Sequence, residues 1–554
     1  MTAPPFDRAD NIERLATGEF DVLVVGGGIT GAGVALDAAG RGLRVALVDK
    51  GDLASGTSSK SSKLAHGGLR YLQQGDIRLV YEALHERQRL LRNAPHLVRP
   101  LPFLIPVMAK GGVVNRKVGW ALGKAMWLYD LTGGARIGKL HRRLGRDDTL
   151  AHLPTMPADR LAYGYLYHDA QVDDARLTLA VARTAAALGA VVVTYAPVTA
   201  LRRDGSGRVA GATVTVDDRP IEVRARIVVN ATGVWTDALL GLAEPGRAPT
   251  MRPAKGVHLT VPWDKVRNDV AVVIPVPKDR RSLFLVPWLP RGDGTYELTY
   301  VGTTDTDYDG PLDDPACTAD DVAYVLRALN ASVTTGVTEA DVVATWAGLR
   351  PLVAGSSGTR GSARTADLSR RHLVATDAAG VVTVTGGKLT TYRRMAADGV
   401  DEVLRGLGER PRRRRSRTAR QALVGATRSG DVAAPDHLDR RYGTEADAVR
   451  ALAAKDPRLA EPLVPGLPYL AAEAVWAVRG EMATTLADVL DRRTRARLQD
   501  ANATAAAAED VARLVATDLG WDEGRVQREA AQYRASIAAE REDAGLPALG
   551  APRP

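Results

Sequence analysis

A glycine-rich turn between two apolar strands constrains the fold of this chain more than any other feature. The apolar run 21–25 predicts a short buried strand, and Gly26-Gly27-Gly28-Ile29-Thr30-Gly31 follows it directly. Apolar periodicity predicts a helix over 31–40 and a second buried strand over 44–48. The pattern G-x-G-x-x-G between a strand and a helix, in a unit of about 30 residues, indicates a dinucleotide-binding βαβ unit.

The residues of this turn suit a bound pyrophosphate. Gly26 permits the tight turn, Gly28 lets the backbone approach the phosphates, and Gly31 allows the helix to pack closely on the strand. The helix N-terminus offers free N–H groups and a partial positive charge to the anion. Asp49 ends the second strand, where it is expected to accept hydrogen bonds from a ribose. NAD and FAD both fit this arrangement.

Two later strand-plus-glycine elements distinguish these cofactors. An apolar strand over 226–230 ends in Ala231-Thr232-Gly233, and a strand over 381–385 runs into Gly386-Gly387-Lys388. Three such elements in one chain resemble the two-dinucleotide-fold flavoproteins, in which the last turn places a helix N-terminus at one edge of the flavin. Such a helix end stabilises the negative charge of a reduced flavin. We therefore predict FAD as the cofactor, and leave open whether it is covalently attached.

The stretch 57–71 is also a candidate for cofactor contacts, because it is dense in hydroxyls, glycines and cations and closely follows Asp49. Hydroxyl groups suit phosphate oxygens, and Gly67-Gly68 lets the backbone lie close to a flat ring. A flexible polar loop is the alternative. The predicted cofactor contacts are Gly26, Gly28, Ile29, Thr30, Gly31, Asp49, Lys50, Thr57, Ser58, Ser59, Lys63, His66, Gly67, Gly68, Val198, Ala231, Thr232, Gly233, Gly386, Gly387, Lys388, Leu389 and Thr390.

Composition limits the number of domains and the kinds of site and partner that we expect. A chain of 554 residues is expected to form two or three domains. Its single cysteine, Cys317, excludes an internal disulfide framework and argues against a cysteine-ligated metal, so we predict no metal site. We find neither a secretory signal nor an uninterrupted apolar run of about 18 residues. The net charge of +9 favours an anionic partner or reflects a generally basic surface.

The order of the predicted elements gives the fold class. Strands alternate with helices up to about residue 405, residues 250–310 favour an antiparallel sheet, and residues 430–545 are helical in pattern. We predict an α/β two-dinucleotide-fold flavoprotein, with a Rossmann-type FAD domain, an inserted antiparallel-sheet substrate domain and a C-terminal all-α domain. The expected boundaries are 18–98, 168–250 and 365–404 for the FAD domain, 99–167 and 251–364 for the substrate domain, and 405–554 for the helical domain.

Several motifs in one order resemble the aerobic, FAD-dependent glycerol-3-phosphate dehydrogenases. They are TSSKSSKLAHGGLRYL at 57–72, KGVH at 255–258, VGTTD at 301–305, WAGLRPL at 346–352 and GGKLTTYR at 386–393. Residues 465–500 resemble that family's C-terminal helical domain. The resemblance implies oxidation of sn-glycerol 3-phosphate to dihydroxyacetone phosphate by hydride transfer to FAD, with electrons passing to a membrane quinone.

The resemblance also implies a phosphate-binding group. Arg350, Arg370 and Lys388 match the substrate site of the family, and arginine suits bidentate recognition of a phosphate dianion. Arg70 and Tyr71 are further candidates for contacts with substrate. Ordinary surface ion pairing is the alternative for the arginines, and the register of Arg370 is less secure because a second arginine follows it.

Oxidation of a secondary alcohol also needs a group that accepts the hydroxyl proton, and histidine suits this role near neutral pH. His66 lies in the stretch expected beside the flavin, and His258 lies in the expected substrate sheet. We favour His66 over His258, with water or another group as the alternative. The predicted catalytic group is thus His66, His258, Arg350 and Lys388.

The basic, aromatic-containing segment 99–143 is expected to lie on an anionic membrane surface, or else forms a basic face of the substrate domain. We expect a cytoplasmic enzyme associated peripherally with the inner face of the cell membrane, with a homodimer as one open arrangement. The alternatives are an oxidase that passes electrons to oxygen, a related flavoprotein that acts on an amino acid, and a non-catalytic FAD- or nucleic-acid-binding protein using the arginine run 410–417. Nucleic-acid binding is disfavoured because the basic residues are dispersed.

Overall fold

A computed structural model describes residues 6–68, 77–109, 114, 116–133, 137–277, 281–354, 372–427 and 436–550. Within these ranges no helix is both long enough and apolar enough to cross a membrane. The predicted substrate contacts Arg70, Tyr71 and Arg370 lie outside the described residues.

The α-helices are α1 Arg8–Thr17, α2 Ile29–Gly40, α3 Ile77–Asn93, α4 Arg116–Thr132, α5 Arg146–His152, α6 Asp174–Ala187, α7 Thr236–Ala243, α8 Ala319–Asn330, α9 Tyr392–Gly406, α10 His437–Tyr442, α11 Ala446–Lys455, α12 Ala471–Glu481, α13 Ala496–Gln499, α14 Ala501–Leu519 and α15 Glu523–Asp543. A π-helix spans Asp488–Thr494.

The strands are β1 Glu19–Val25, β2 Val45–Val48, β3 Leu64–Ala65, β4 Val98–Met108, β5 Arg142–Leu144, β6 Leu161–Val172, β7 Val191–Val193, β8 Val198–Arg203, β9 Val209–Val216, β10 Arg219–Asn230, β11 Ala254–Pro262, β12 Ala271–Pro275, β13 Ser282–Pro290, β14 Tyr296–Gly302, β15 Thr306–Asp307, β16 Ala344–Arg350, β17 His372–Thr376 and β18 Val382–Gly386.

The first sheet has the order β17-β18-β10-β1-β2-β7, and its central strands are parallel. Successive residues of β1 are buried on opposite faces: Val22 and Val24 pack in a core with α2, α6 and α9, whereas Leu23 and Val25 pack against β8 and β9. Burial on both faces is typical of a parallel strand covered on each side. The predicted βαβ unit is confirmed, with α2 beginning at Ile29, two residues earlier than expected.

The register of these strands brings their carboxyl ends to one edge. Val25 lies opposite both Val48 and Asn230, and Asn230 lies opposite Thr383. The three glycine-containing turns and the residue after β2 therefore meet at the same place. In open α/β sheets, ligands bind at this edge.

The second sheet has the order β15-β11-β14-β13-β12-β4-β6-β3, with β16 paired to β11 and β5 paired to β6. Its pairings are antiparallel except for that of β12 with β4, where Ala271 lies opposite Phe103. One face packs on α8 through residues such as Val257 and Val325. The other face packs on α3 and α4, where Tyr129 and Tyr167 meet edge to face.

Helices α10 to α15 form the C-terminal part of the chain. Their main core includes Tyr469, Val489, Val511 and Ile537, all of which are buried. A parallel sheet with helices, a largely antiparallel second sheet and a C-terminal helical unit together confirm the predicted fold class.

Candidate active site

A cavity of about 740 Å³ lies between the carboxyl edge of the first sheet and the second sheet. A volume of this size suits a cofactor or another small-molecule ligand. The first sheet contributes the turns after β1, β10 and β18, and the second contributes residues of β11, β13 and β16. Two chemically different regions share this one space.

The turn after β1, which borders the cavity, leaves no space for side chains at two of its glycines. Gly26 has φ +108°, and a Cβ there would lie 2.6 Å from the carbonyl oxygen of Ala231. A Cβ on Gly31 would lie 1.8 Å from the carbonyl oxygen of Gly26. Any side chain at these positions would strike backbone, so the turn requires glycine. The N-terminus of α2, preceded by Gly28 in an extended conformation, lies beside the same space.

Asp49 lies at the end of β2 and lines the cavity. Its carboxylate accepts hydrogen bonds from the backbone N–H groups of Gly27, at 2.5 Å, and Gly51, at 2.8 Å. Enclosure by the protein raises the pKa of Asp49 to about 6, even though these two N–H groups favour the anion. The carboxylate is thus fixed beside the glycine turn, and its role as a ribose acceptor stays a prediction.

Residues 49–62, which we call the cofactor loop, continue the wall from Asp49. The hydroxyl of Ser58 accepts a hydrogen bond from the N–H of Ile29 at 2.9 Å, so the loop lies against the start of α2. The hydroxyl of Thr57 donates to the carbonyl oxygen of Leu349 at 2.6 Å and so joins the loop to the second sheet. The residues present therefore fit a dinucleotide, with a glycine turn, a helix N-terminus and a carboxylate at one edge.

Most of the predicted contacts do line this cavity. They are Gly26, Gly28, Ile29, Thr30, Asp49, Lys50, Thr57, Ser58, His66, Gly68, Val198, Ala231, Thr232, Gly233, His258, Arg350, Gly386, Gly387, Lys388, Leu389 and Thr390. The exceptions among the described residues are Gly31, Ser59, Lys63 and Gly67, which do not line it. The ammonium of Lys63 is buried and pairs with Asp174 at 3.3 Å, and burial lowers its pKa to about 8.

Cationic side chains define the second region. Arg350 ends β16, and its guanidinium donates to the carboxylate of Asp305 at 3.0 Å and to the hydroxyl of Thr303 at 3.0 Å. Arg281, at the start of β13, donates to the carbonyl oxygen of Asp305, and Lys388 follows the glycine turn after β18. All three cations line the cavity, where they can hold an anionic group of a substrate.

Both predicted histidines line the same space. The backbone N–H of His66 donates to the hydroxyl of Thr390 at 3.2 Å, so its segment is tied to the turn that follows Lys388. His258 is buried, stacks on Trp346 with ring centroids 4.7 Å apart, and lies 2.9 Å from the hydroxyl of Ser62. Burial and nearby cations lower the pKa of His258 well below 6.5, so its imidazole is neutral.

Sequence reasoning missed several residues of this site. Arg281 and Asp305 complete the cationic region, and Lys60 also lines the cavity. Asp169, on β6, accepts hydrogen bonds from the N–H of Gly67 at 3.0 Å and from the guanidinium of Arg87 at 2.6 Å, which fixes the backbone next to His66. The VGTTD motif could have identified Asp305 as a residue of the site. The other missed residues reach the site through pairings between distant strands.

Comparison with known proteins assigns the family. The profile of the family described as FAD dependent oxidoreductase matches residues 21–393, and the C-terminal domain of alpha-glycerophosphate oxidase matches residues 401–526. Glycerol-3-phosphate dehydrogenase 2 of Mycobacterium bovis is 42% identical over 557 residues, covering 97% of this chain and 91% of that protein. The chain belongs to the FAD-dependent glycerol-3-phosphate dehydrogenase family.

Two further relatives of this glycerol-3-phosphate dehydrogenase family are similar over nearly the whole chain. The mitochondrial glycerol-3-phosphate dehydrogenase of Rattus norvegicus is 35% identical over 563 residues, covering 95% of this chain and 74% of that protein. The crystal structure of the glycerol-3-phosphate dehydrogenase from Bacillus halodurans, complexed with FAD, has a TM-score of 0.76 and 30% identity, covering 96% of this chain and 97% of that chain. The predicted family and the predicted cofactor, FAD, are confirmed.

Proposed function

We propose that this chain oxidises sn-glycerol 3-phosphate to dihydroxyacetone phosphate and passes the electrons to a membrane quinone. The shared cavity is the observation that carries the proposal. The glycine turns and Asp49, which fit a dinucleotide, line the same space as a group of cations and two histidines. When bound, FAD supplies the hydride acceptor for such an oxidation. The side chains of the protein supply substrate binding and proton transfer.

Arg350 is the proposed anchor for the phosphate. Hydrogen bonds to Asp305 and Thr303 hold its guanidinium in one orientation, so little freedom remains to be lost when a dianion binds. Arg281 and Lys388 add positive charge from two other elements. A substrate that carries both a phosphate and hydroxyl groups fits a cavity lined by both cations and imidazoles.

His66 is the proposed acceptor of the hydroxyl proton, with His258 as the alternative. Support for His66 is its half-buried position on the cavity wall beside Thr390. His258 is already neutral and could accept a proton, but its ring is held by the stack on Trp346 and the contact with Ser62. A base must reach the substrate hydroxyl, and a fixed, fully buried ring has less freedom to do so.

The exposed face of α4 supports the proposed membrane contact. Trp120, Trp127 and Leu131 are 66%, 56% and 81% exposed, and their spacing puts them on one face of the helix. The ammonium of Lys124 lies 3.9 Å from the ring centroid of Trp120, so a cation accompanies the aromatic face. Aromatic side chains beside cations suit the interface of an anionic bilayer. An enzyme held at such a surface has access to a lipid-soluble quinone.

An oxidase that passes electrons to oxygen is the second candidate, because residues 401–526 match the C-terminal domain of alpha-glycerophosphate oxidase. The test is steady-state turnover of purified, FAD-loaded protein with sn-glycerol 3-phosphate and a water-soluble quinone analogue. We expect quinone reduction with little peroxide, and no turnover with glycerol. Peroxide formed in proportion to substrate would favour the oxidase. No turnover with either acceptor would contradict the substrate assignment.

A further inference from the structure

The cofactor loop has a cavity side and a buried side. Asp49, Thr57 and Ser58 face the cavity, whereas the carboxylate of Asp52 points away from it and is buried. Residues 488–495 of the C-terminal part, which we call the arginine segment, lie against this buried side. The loop is therefore placed between the cavity and a segment more than four hundred residues further along the chain.

Arg493 makes the most specific contact between the two segments. Its guanidinium donates to both carboxylate oxygens of Asp52, at 2.5 and 2.8 Å, and also to the carbonyl oxygen of Glu481 at 2.8 Å. The side chain of Arg492 adds a third hydrogen bond to Asp52 at 2.6 Å. Asp52 and Arg493 are each 1% exposed. A bidentate, charge-assisted hydrogen bond that is shielded from water fixes both the distance between the two side chains and their orientation.

Arg495 holds a second point of the loop. Its guanidinium donates to the carbonyl oxygen of Ser59 at 3.0 Å and also pairs with the carboxylate of Asp174. The other carboxylate oxygen of Asp174 accepts hydrogen bonds from the N–H of Ser61 at 3.0 Å and from its hydroxyl at 2.7 Å. The part of the loop that follows Ser58 is thus fixed from behind, both directly and through Asp174.

Tyr195 provides a third connection. Its backbone N–H donates to the carbonyl oxygen of Gly51 at 2.9 Å, and its hydroxyl donates to the carboxylate of Asp488 at 2.6 Å. The backbone of the arginine segment is itself unusual, because residues 488–494 form a π-helix and Arg495 has φ +87°. Such conformations are uncommon and are retained where the surrounding contacts require them.

We propose that the arginine segment is a positioning element for FAD, through which the C-terminal helical part of the chain sets the affinity for the cofactor. Arg493 and Arg495 hold the cofactor loop in the shape that presents Asp49, Thr57 and Ser58 to the cavity. They contribute no chemistry, because they do not line the cavity. The inference rests on the placement of FAD along this loop that the proposed function assumes.

The experiment compares the FAD dissociation constants of full-length Arg493→Gln and wild-type protein, measured by the change in flavin fluorescence on binding. We expect Arg493→Gln to weaken FAD binding by about 10-fold or more, because Asp52 loses its bidentate hydrogen-bond partner. At saturating FAD, KM for sn-glycerol 3-phosphate and kcat should stay within about threefold of wild type. A purely structural role would not separate cofactor affinity from these kinetic constants.

The matched control is Arg479→Gln. Arg479 pairs with Asp518 at 2.9 Å, so its ion pair stays within the C-terminal part and outside the arginine segment. We expect this control to bind FAD within about threefold of wild type. Equal loss of FAD affinity in both variants would overturn the proposal, because it would indicate general destabilisation.

If Arg493→Gln does not fold, two further variants keep the test decisive. Arg493→Lys keeps the positive charge but loses the planar guanidinium that donates two parallel hydrogen bonds. Asp52→Asn combined with Arg493→Gln replaces the ion pair by a pair of neutral amides. We expect weaker FAD binding in the lysine variant and partial recovery in the double variant. FAD binding equal to wild type in the lysine variant would overturn the inference. Failure of the wild-type protein itself to bind FAD would instead contradict the proposed function.

Discussion

The guanidinium of Arg350 lies 3.0 Å from the carboxylate of Asp305, and this pair faces the cavity that also holds the dinucleotide cradle. The pair joins the end of β16 to the residue before β15, and both side chains are largely shielded from solvent. An arginine held in this way is oriented before a ligand arrives. The proposed function places the phosphate of the substrate beside this oriented guanidinium.

Substitution of Arg350 tests the phosphate contact. Arg350→Gln should raise KM for sn-glycerol 3-phosphate roughly 10- to 150-fold, since charge-assisted hydrogen bonds contribute about 1.5–3 kcal/mol. The absorbance spectrum of bound FAD should not change. Arg252→Gln is the control, because Arg252 forms a similar ion pair with Asp307 nearby but does not line the cavity. An unchanged KM in Arg350→Gln would remove this residue from the phosphate site.

The two histidines can be separated by their rates of flavin reduction under single-turnover conditions. His66→Asn should slow reduction by about 10²- to 10⁴-fold, which is the usual contribution of a general base, while FAD stays bound. His258→Asn should have a smaller effect, below about tenfold, because it removes only the stack on Trp346 and the contact with Ser62. The reverse order of effects would make His258 the base.

The pH dependence of the same reaction provides a second criterion. Since the pKa of His258 is well below 6.5, its ring stays neutral as the pH falls through that value. A rate that depends on His258 would therefore show no decline near pH 6.5. A decline in this range that persists in His258→Asn and disappears in His66→Asn would support His66.

The raised pKa of Asp49, about 6, predicts a pH dependence of FAD binding. A ribose hydroxyl donates a stronger hydrogen bond to the carboxylate than to the protonated acid, so FAD binding favours the anion and releases a proton when Asp49 is protonated beforehand. The dissociation constant should be nearly constant above about pH 6 and rise by up to about tenfold per pH unit below it.

Asp49 affects the stability of the folded protein without FAD in the opposite direction, since it favours the folded state at low pH. The pKa of Asp49 is raised from 3.8, so the folded state binds more protons than the unfolded chain between 3.8 and about 6. The contribution of Asp49 to the free energy of unfolding is fully present below 3.8 and is lost as the pH rises through 6.

Fluorescence titrations with FAD from about pH 5 to about pH 8 measure this dependence. Asp49→Asn should bind FAD more weakly and with less pH dependence. Asp21→Asn is the control, because Asp21 accepts a hydrogen bond from the N–H of Arg44 at 2.9 Å at the opposite end of β1. The same slope in wild type and Asp49→Asn would exclude Asp49 as the source of the effect.

The exposed face of α4 can be tested with lipid vesicles. Trp120→Ser combined with Leu131→Ser should reduce co-sedimentation with phosphatidylglycerol vesicles by about 10-fold or more, because two large apolar side chains no longer enter the interface. Leu188→Ser, which removes an apolar residue that is 40% exposed at the end of α6, serves as the control. Wild-type binding by the double variant would remove α4 from the membrane contact.

The cradle for FAD could be predicted from the sequence because its signals are local. The alternation of apolar residues in β1 and the spacing of the glycines determine the turn within a few residues, and Asp49 follows at the end of β2. The same reasoning applied to a polar stretch predicted a cofactor contact for Lys63. The ammonium instead pairs with Asp174, 111 residues away, and no local pattern reports such a partner.

The cationic region likewise could be predicted only in part from local sequence patterns. Arg350 was predicted from a motif, but Arg281 joins it only because β13 pairs with β14, which pairs with β11, which pairs with β16. The contact of Asp52 with Arg493 spans 441 residues and depends on how the C-terminal helices pack against the first sheet. Contacts that arise from sheet register and from packing between distant segments have no signature in the sequence near either residue.

According to the proposed function, a phosphorylated alcohol bound in this cavity reduces FAD. The most direct measurement is the visible absorbance of the FAD-loaded protein during anaerobic addition of sn-glycerol 3-phosphate. We predict stoichiometric loss of the oxidised-flavin absorbance, its return on addition of a quinone analogue, and no change with glycerol or inorganic phosphate. Absorbance that stays constant with sn-glycerol 3-phosphate, in protein that has bound FAD, would contradict the proposed function.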